Sequence, residues 1–184
     1  VHNVTQDTYF LNIKPAVLAA NTGDLITVAA GTYTESGQIV IDKTLTITGA
    51  DKTTTIIKPA VDTGASGDAR GFILVNSGVT FDLSGVTIDG AGRLVSIGIL
   101  SHGSGTIEGN ILKNIGYNPS GPDYAGRGIA FYDANMTIKN NSLSNIGRIG
   151  IYAYGVGVTA GVIDGNTYIG KGPGNWLDYG IEIE

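Results

Sequence analysis

The residues of this sequence best suited to chemistry are aromatic. Tyr132, Tyr152 and Tyr154 lie in two short apolar segments, and Tyr124, Trp176 and Tyr179 lie in the long connections that lead into such segments. An aromatic side chain offers a flat apolar face and, in Tyr and Trp, a polar tip. Such faces stack on the C–H faces of sugars. Arg127, Asp133 and Asp178 are interleaved with these aromatics, and His102 occupies a related place one segment earlier. Their donors and acceptors suit sugar hydroxyls. Together they define an expected carbohydrate-binding surface whose partner is a polysaccharide. The competing reading is that the long loops fold over the tyrosines and bury them as a satellite core.

Other chemistries draw on the same region. Glu182 and Glu184 point outward on one strand, with Asp178 and Asp133 expected near them in the fold. Glycoside hydrolysis needs two carboxylates about 5 to 9.5 Å apart, one an acid and the other a base or nucleophile. A lyase needs a base beside the sugar and a cation to neutralise a uronate, for which His102, Arg127 and Arg148 are candidates. Asp62, Asp68, Asp123 and Asp133 are hard oxygen ligands of the kind Ca²⁺ takes, in no recognisable loop pattern. The expectation is therefore no resident cofactor, with Ca²⁺ left open.

Composition narrows the field. The chain has 184 residues, a net charge of -5 and only 11 Lys and Arg, with no basic run. A nucleic-acid partner is not expected, because a phosphate backbone needs clustered cations. No apolar run is long enough to span a membrane. There is no Cys, so disulfides and thiolate metal sites are excluded.

Elements must position these residues, and most are short strands. Gly contributes 29 residues, spread along the chain rather than collected in a linker, which suggests many tight turns. A helix is predicted over 8–21, where Phe10, Ile13, Val17 and Ala20 share one face. Asn12 is its N-cap, Pro15 lies in its first turn, and Asn21–Gly23 stops it. This helix is placed as a plug on the end of a sheet stack. From 24 onward the period is two and no further helix is predicted.

An internal repeat organises those strands. Gly71-Phe72-Ile73-Leu74-Val75, Gly98-Ile99-Leu100-Ser101-His102, Gly128-Ile129-Ala130-Phe131-Tyr132, Gly150-Ile151-Tyr152-Ala153-Tyr154 and Gly180-Ile181-Glu182-Ile183-Glu184 recur at spacings of 27, 30, 22 and 30 residues. A second repeat is interleaved: Thr106-Ile107-Glu108-Gly109-Asn110 matches Thr137-Ile138-Lys139-Asn140-Asn141 and Val162-Ile163-Asp164-Gly165-Asn166. A unit of this length with two or three strands and no helix is one coil of a parallel β-helix. The fold class is therefore all-β, a right-handed parallel β-helix with a short N-terminal capping helix, in a single domain over 1–184 with coils over 24–184. An antiparallel sandwich, the alternative, would not place one motif at every coil.

Stacking turns equivalent positions into columns. Phe72, Ile99, Ile129, Ile151 and Ile181 are expected inward, with Leu74, Ser101, Phe131, Ala153 and Ile183 as a second inward column. The outward columns are Val75, His102, Tyr132, Tyr154 and Glu184, and Ile73, Leu100, Ala130, Tyr152 and Glu182. Asn110, Asn141 and Asn166 should form a structural ladder. Glu108, Lys139 and Asp164 should form an outward column of alternating sign.

The stretch Gly23-Asp24-Leu25-Ile26-Thr27-Val28, Gly31-Thr32-Tyr33-Thr34-Glu35, Ile39, Ile41, Lys43, Leu45-Thr46-Ile47-Thr48-Gly49-Ala50 and Thr54-Thr55-Ile56-Ile57 resembles the opening of pectin-lyase-like right-handed β-helix proteins. The preceding helix resembles their N-terminal cap, and with the coil repeats the resemblance covers nearly the whole chain. It implies an extracellular or periplasmic protein that acts on or binds polysaccharide. The paired Asp and Arg motifs of pectin methylesterases have no counterpart here, nor do the polygalacturonase motifs or the Arg signature of pectate lyases. His102-Gly103 follows Ser101 and so is not the Gly-His-Gly of polygalacturonases. A β-helix with an aromatic flank and none of these motifs resembles the non-catalytic modules attached to plant-cell-wall enzymes. The expected function is thus a carbohydrate-binding module for a polysaccharide such as xylan. A lyase or glycoside hydrolase is the alternative, and a structural or adhesive segment is the third. The last of these draws on the chain's final strand, whose open edge invites further coils of a longer parent chain, or self-association.

Overall fold

The computed structural model describes residues 1–116, 125–155, 160–174 and 176–184. The chain opens with β1 (His2–Asn3) and β2 (Thr8–Tyr9), an antiparallel pair, followed by α1 (Ile13–Ala19). The helix is shorter than the expected 8–21, because Thr8 and Tyr9 are drawn into pairing with β1. It starts after Asn12, the N-cap residue, with Pro15 in its first turn. The Asn12 side chain does not cap; it donates to the carbonyl of Thr34 (3.0 Å). The buried carboxylate of Glu35 instead accepts the N–H groups of Ile13 (2.8 Å) and Lys14 (3.1 Å). At the far end Lys43 Nζ is 3.4 Å from the carbonyls of Val17 and Leu18. A seven-residue helix does not hold alone in water. Here an anion at the N-terminus and a cation at the C-terminus match its dipole, and Ile13, Ala16 and Val17 are buried in the main core.

The rest of the chain is a stack of coils with three strands each. The first coil holds β3 (Asp24–Val28), β4 (Gly31–Glu35) and β5 (Ile39–Ile41). The second holds β6 (Leu45–Gly49), β7 (Thr55–Pro59) and β8 (Gly71–Val75). The third holds β9 (Thr80–Ser84), β10 (Thr87–Asp89) and β11 (Ile97–Ser101). β12 (Ser104–Glu108), β13 (Ile111–Ile115) and β14 (Arg127–Tyr132) make the fourth. β15 (Met136–Lys139), β16 (Ser142–Ile146) and β17 (Ile149–Tyr154) make the fifth, and β18 (Val162–Asp164), β19 (Thr167–Ile169) and β20 (Tyr179–Ile183) the sixth. First strands of successive coils pair in parallel into one sheet, second strands into another and third strands into the last; β1 and β2 extend the first sheet. This is a right-handed parallel β-helix.

The interior is a set of aligned columns. In the third sheet Ile39, Ile73, Ile99, Ile129, Ile151 and Ile181 are in register, as are Ile41, Val75, Ser101, Phe131, Ala153 and Ile183. The columns expected from sequence hold from Gly98 onward and slip by one residue in the second coil. Gly71 pairs with Ile97, not Gly98, so Ile73 replaces Phe72 and Val75 replaces Leu74 in the two inward columns, and Leu74 faces outward. Phe72 is still buried, at the position where later coils carry glycine. The slip has a physical cause: all five residues of β8 are buried, so no polar alternation marks a face.

That glycine column is dictated by close approach. A Cβ on Gly98 would lie 2.7 Å from the carbonyl oxygen of Gly128, and one on Gly128 or on Gly150 would lie 2.6 Å from the next coil's glycine carbonyl. The asparagine ladder is present. Asn110 Nδ2 donates to Asn141 Oδ1 (3.1 Å), and Asn141 Nδ2 donates to Asn166 Oδ1 (2.9 Å). Each Asn also donates to a main-chain carbonyl of the coil before it, for example Asn141 to Ile107 (2.8 Å). Glu108, Lys139 and Asp164 are in register, yet no ion pair forms among them; Asn140 Nδ2 reaches Glu108 instead (3.1 Å).

Candidate functional site

The outer face of the third sheet is unlike the other two. Leu74, Ile97, Leu100, Ala130, Ile149 and Tyr152 form a second apolar cluster there, outside the coil interior, with Val40 and Tyr132 packed against it. Long connections cross this side. One of them ends in a short 3-10 helix, Gly67–Arg70, tied down where Gln38 Nε2 donates to the Asp68 carbonyl (2.6 Å) and the Gly71 carbonyl (2.8 Å). The satellite core weighed from sequence therefore exists, and it takes in Tyr152. That tyrosine is 6% exposed, and the Arg127 guanidinium lies 4.2 Å above its ring. It supports the surface without offering a ring face for stacking, because burial and the guanidinium cover it.

Tyr132 and Tyr154 rest on that support. They are in register on β14 and β17, with ring centroids 5.8 Å apart. Tyr154 lies 6.1 Å from Tyr152 at an interplanar angle of 17° and is 45% exposed, so one of its faces is open to solvent. Tyr132 is half-buried, and its hydroxyl accepts from Arg127 Nη1 (3.1 Å). His102 lies at the same rim, 5.8 Å from Tyr132, with Nε2 2.9 Å from Asp68 Oδ1. Asp133 follows Tyr132 at an exposed turn with φ 51°, its N–H bonded to the Tyr154 carbonyl. The rim thus combines one open aromatic face with an imidazole and a carboxylate.

One coil on lies a carboxyl pair. Glu182 is in register with Tyr152, and Tyr152 donates its hydroxyl to Glu184 Oε2 (2.7 Å). Glu182 and Glu184 are hydrogen-bonded to each other, which raises Glu182 above the usual carboxylate range; the bonds from Tyr152 and Glu182 hold Glu184 below it. The two carboxyls are thus shifted in opposite directions. Burial, with the Glu184 hydrogen bond and charge, pushes the Tyr152 phenol up to about 12. A directly bonded pair is closer than the spacing of either glycosidase geometry. It is the arrangement of a coupled proton donor and acceptor.

The remaining candidates are scattered. Tyr179 is exposed at the start of β20, and its N–H donates to the Arg148 carbonyl. Trp176 is partly buried, with Lys171 Nζ 5.5 Å from its ring. Asp178 accepts from the Lys171 N–H (2.8 Å) and lies 3.5 Å from the Tyr168 hydroxyl, so it fastens the 170–178 connection. Tyr124 and Asp123 lie outside the described residues. Asp62 accepts the Leu94 N–H (3.0 Å), and among the described residues no three His, Asp or Glu side chains gather to hold a metal ion. Arg70 escaped the sequence reading. Its signal was available, since Arg70 and Arg148 each stand immediately before a strand of the third sheet and Arg127 opens another.

Fold and site together define a solenoid whose coils are uniform inside and chemically loaded on one outer face. Residues 2–183 match one family over nearly their whole length, and the chain belongs to it: the family described as protein of unknown function DUF1565. Among solved structures the chain is similar to a pectin methylesterase mutant in complex with a hexasaccharide. The TM-score is 0.53 at 13% identity, over 90% of this chain and 63% of that one. It is also similar to pectin methylesterase PemA from Erwinia chrysanthemi, with a TM-score of 0.47 and 13% identity over 85% of this chain and 55% of that one. This chain thus spans less than two thirds of either. No curated protein matches the sequence. At this identity the likeness is one of fold. Among the described residues no helix is long and apolar enough to cross a membrane.

Proposed function

We propose that this chain is a carbohydrate-binding module, acting outside the cytoplasm, that holds a polysaccharide such as a plant cell-wall glycan along the outer face of its third sheet. The observation that carries this reading is Tyr154. Its ring is 45% exposed and packed on Tyr152 and Tyr132, so an apolar face is held rigid and presented to solvent. A fixed ring binds with little loss of side-chain freedom. His102, Asp133 and Arg127 stand around it with donors and acceptors for hydroxyls. That the structurally similar pectin methylesterase was solved in complex with a hexasaccharide supports a solenoid of this fold as a holder of a glycan.

Affinity-gel electrophoresis on xylan, pectin, alginate, β-glucan and mannan tests the proposal. Retardation on at least one, without new reducing ends or unsaturated products, is the expected result. Tyr154→Ala should weaken it about tenfold, which corresponds to about 1.4 kcal/mol. Retardation unaffected by Tyr154→Ala, or no retardation on any glycan, would refute the reading.

A second reading rests on the carboxyl pair. Glu182 as proton donor, Glu184 as acceptor, and Arg127 and Arg148 nearby form a set able to move a proton at a sugar. Product formation in the same gels, abolished by Glu182→Gln, would establish it.

A further inference from the structure

Three of the four arginines of the chain converge on one spot. The arginines are Arg70, Arg93, Arg127 and Arg148. Arg70, Arg127 and Arg148 line a cleft of about 180 Å³ at the corner where the chain enters the third sheet, with Ala65, Ser96 and Ala125 among its other walls. Arg70 precedes β8 and Arg148 precedes β17, three strand spacings apart. They therefore approach from the two ends of a span of roughly 14 Å along the axis. Arg127 lies between them and reaches from the cleft to Tyr132 and Tyr152.

Among the described residues these cations form no direct ion pair. No Arg forms an ion pair within 4.0 Å among the described residues; the pairs among them use Lys or His. Glu182 and Glu184 feel the charge of Arg127 and Arg148 but are engaged with each other and with Tyr152. The Nε atoms of Arg127 and Arg148 are buried and have no hydrogen-bond acceptor. Buried donors left unpaired cost roughly 1–3 kcal/mol each, more when charged, so a partner is expected to fill them. The protein carries a net charge of -5, and three neighbouring guanidinium groups run against that overall sign. The planar guanidinium fork matches an oxyanion with two oxygens in plane, such as a carboxylate or a sulfate ester.

We propose that this cleft is an oxyanion subsite, by which the module selects a polysaccharide bearing carboxylate or sulfate groups over a neutral one. The inference rests on the outer face being a polysaccharide-binding surface, and deepens it. Arg148 and Tyr154 stand at opposite ends of β17, roughly 20 Å apart, so the sugar ring that stacks at Tyr154 and the charged substituent that enters between the arginines belong to different residues of one glycan chain. Arg127 belongs to both parts, so it is unsuited to separating them. Arg70 and Arg148 line the cleft without the ring contacts that tie Arg127 to Tyr132 and Tyr152; Arg70 Nε donates to the Gly67 carbonyl (3.1 Å), and the charge of Arg148 also acts on Glu182 and Glu184.

The experiment is affinity electrophoresis of the whole chain on four immobilised glycans: polygalacturonate and glucuronate-substituted xylan, a sulfated galactan, and neutral arabinoxylan. Each is run at low ionic strength and at about 1 M salt, where charge is screened beyond about 3 Å. The expected result is retardation by the charged glycans at least tenfold stronger than by arabinoxylan, lost at high salt. The Arg70→Gln, Arg148→Gln double variant should abolish that preference with its melting temperature unchanged. Arg70→Gln alone, in a partly exposed 3-10 turn, serves where the double variant folds poorly, and should reduce it several-fold. Preference for the two uronate polymers, or for the sulfated one, tells which oxyanion is meant. Equal retardation by arabinoxylan, or a preference indifferent to both Arg variants, overturns the inference; if Tyr154→Ala still abolishes that retardation, the binding-module reading survives. No retardation on any glycan overturns both.

Discussion

The outer faces of the first and third sheets are built on the same coils and differ in almost everything else. On the first sheet the outward positions are Thr46, Asp82, Thr106 and Thr137 in one column and Thr48, Ser84, Glu108 and Lys139 in the next. These side chains hydrogen-bond locally or face water. On the third sheet the matching positions hold Leu74, Leu100, Ala130, Tyr152 and Glu182, flanked by arginines and tyrosines. The strands cannot explain the contrast, since both sheets pair in parallel and bury similar columns inward. The connections do. The connections from the first sheet to the second are short turns, closed in the last three coils by the asparagine ladder, whereas residues 60–70 and 90–96 form longer runs on the way into the third sheet. A long connection needs apolar surface to rest on, and the outer cluster under these runs supplies it. The solenoid thus has one plain flank and one flank where side chains are supported from both sides, and rigid support is what a binding residue needs.

The largest effects should come from the core beneath the two faces. Phe131→Ala, behind the tyrosine-bearing strand, should cost about 3–5 kcal/mol, and Ile107→Ala, behind the plain face, about 2–5 kcal/mol. Denaturant titration measures both. If the faces differ as described, only Phe131→Ala should also weaken polysaccharide retention in conditions where both variants remain folded; equal weakening would erase the distinction. Next comes the turn between the first and second sheets. Asn141→Ala strands the Asn110 N–H and the Ile107 carbonyl, both bonded to it now (2.9 and 2.8 Å). The expected loss is about 1–3 kcal/mol per stranded buried group, with retention untouched. The smallest effect belongs to the plain face itself. Lys139→Ala removes a charge with no ion pair and should change stability by less than about 0.5 kcal/mol. A larger value would show that the Glu108, Lys139 and Asp164 column carries energy at a distance.

Charge placement separates the two regions as well. Asp24 is held below the ordinary carboxylate range by hydrogen bonds from Asn3 Nδ2 and the Asn21 N–H. Burial would raise Asp89, but bonds from Asn114 and the Ala91 N–H, with Lys113 and Lys58 nearby, bring it below. Both are pinning groups, fully satisfied by the fold. Glu182 is moved the other way, raised by its bond to Glu184. The depressed carboxyls hold the structure together. The raised one lies beside unpaired arginines, on the face where a ligand is proposed.

Much of this was legible in the residues. The repeat of Gly-Ile-x-x-x segments implies coils, because only stacked equivalent strands need one motif at spacings that vary by turn insertions. Asn110, Asn141 and Asn166 imply a ladder, because an Asn at the same turn of every coil has its neighbours for partners. Tyr132, Tyr152 and Tyr154 imply one aromatic flank, because strand alternation is binary and turns do not alter it. The register of Gly71–Val75 was not legible. Five apolar residues in a row satisfy either face, and only pairing of Gly71 with Ile97 chooses. The helix bounds were not legible either, since Phe10 has helical spacing while the backbone before it pairs with β1.

The sequence by itself determined the architecture and the side of the solenoid that carries the reactive residues, since both follow from periodicity along the chain. Tertiary structure alone decided that Tyr152 is a buried support and Tyr154 an open face, that Glu182 and Glu184 lie against each other, and that Arg70, Arg127 and Arg148 line one cleft. Arg70 and Arg148 are 78 positions apart in the sequence, and no local pattern links them. What brings them together is the stacking of coils at about 4.8 Å, which makes neighbours of residues that are distant in the chain.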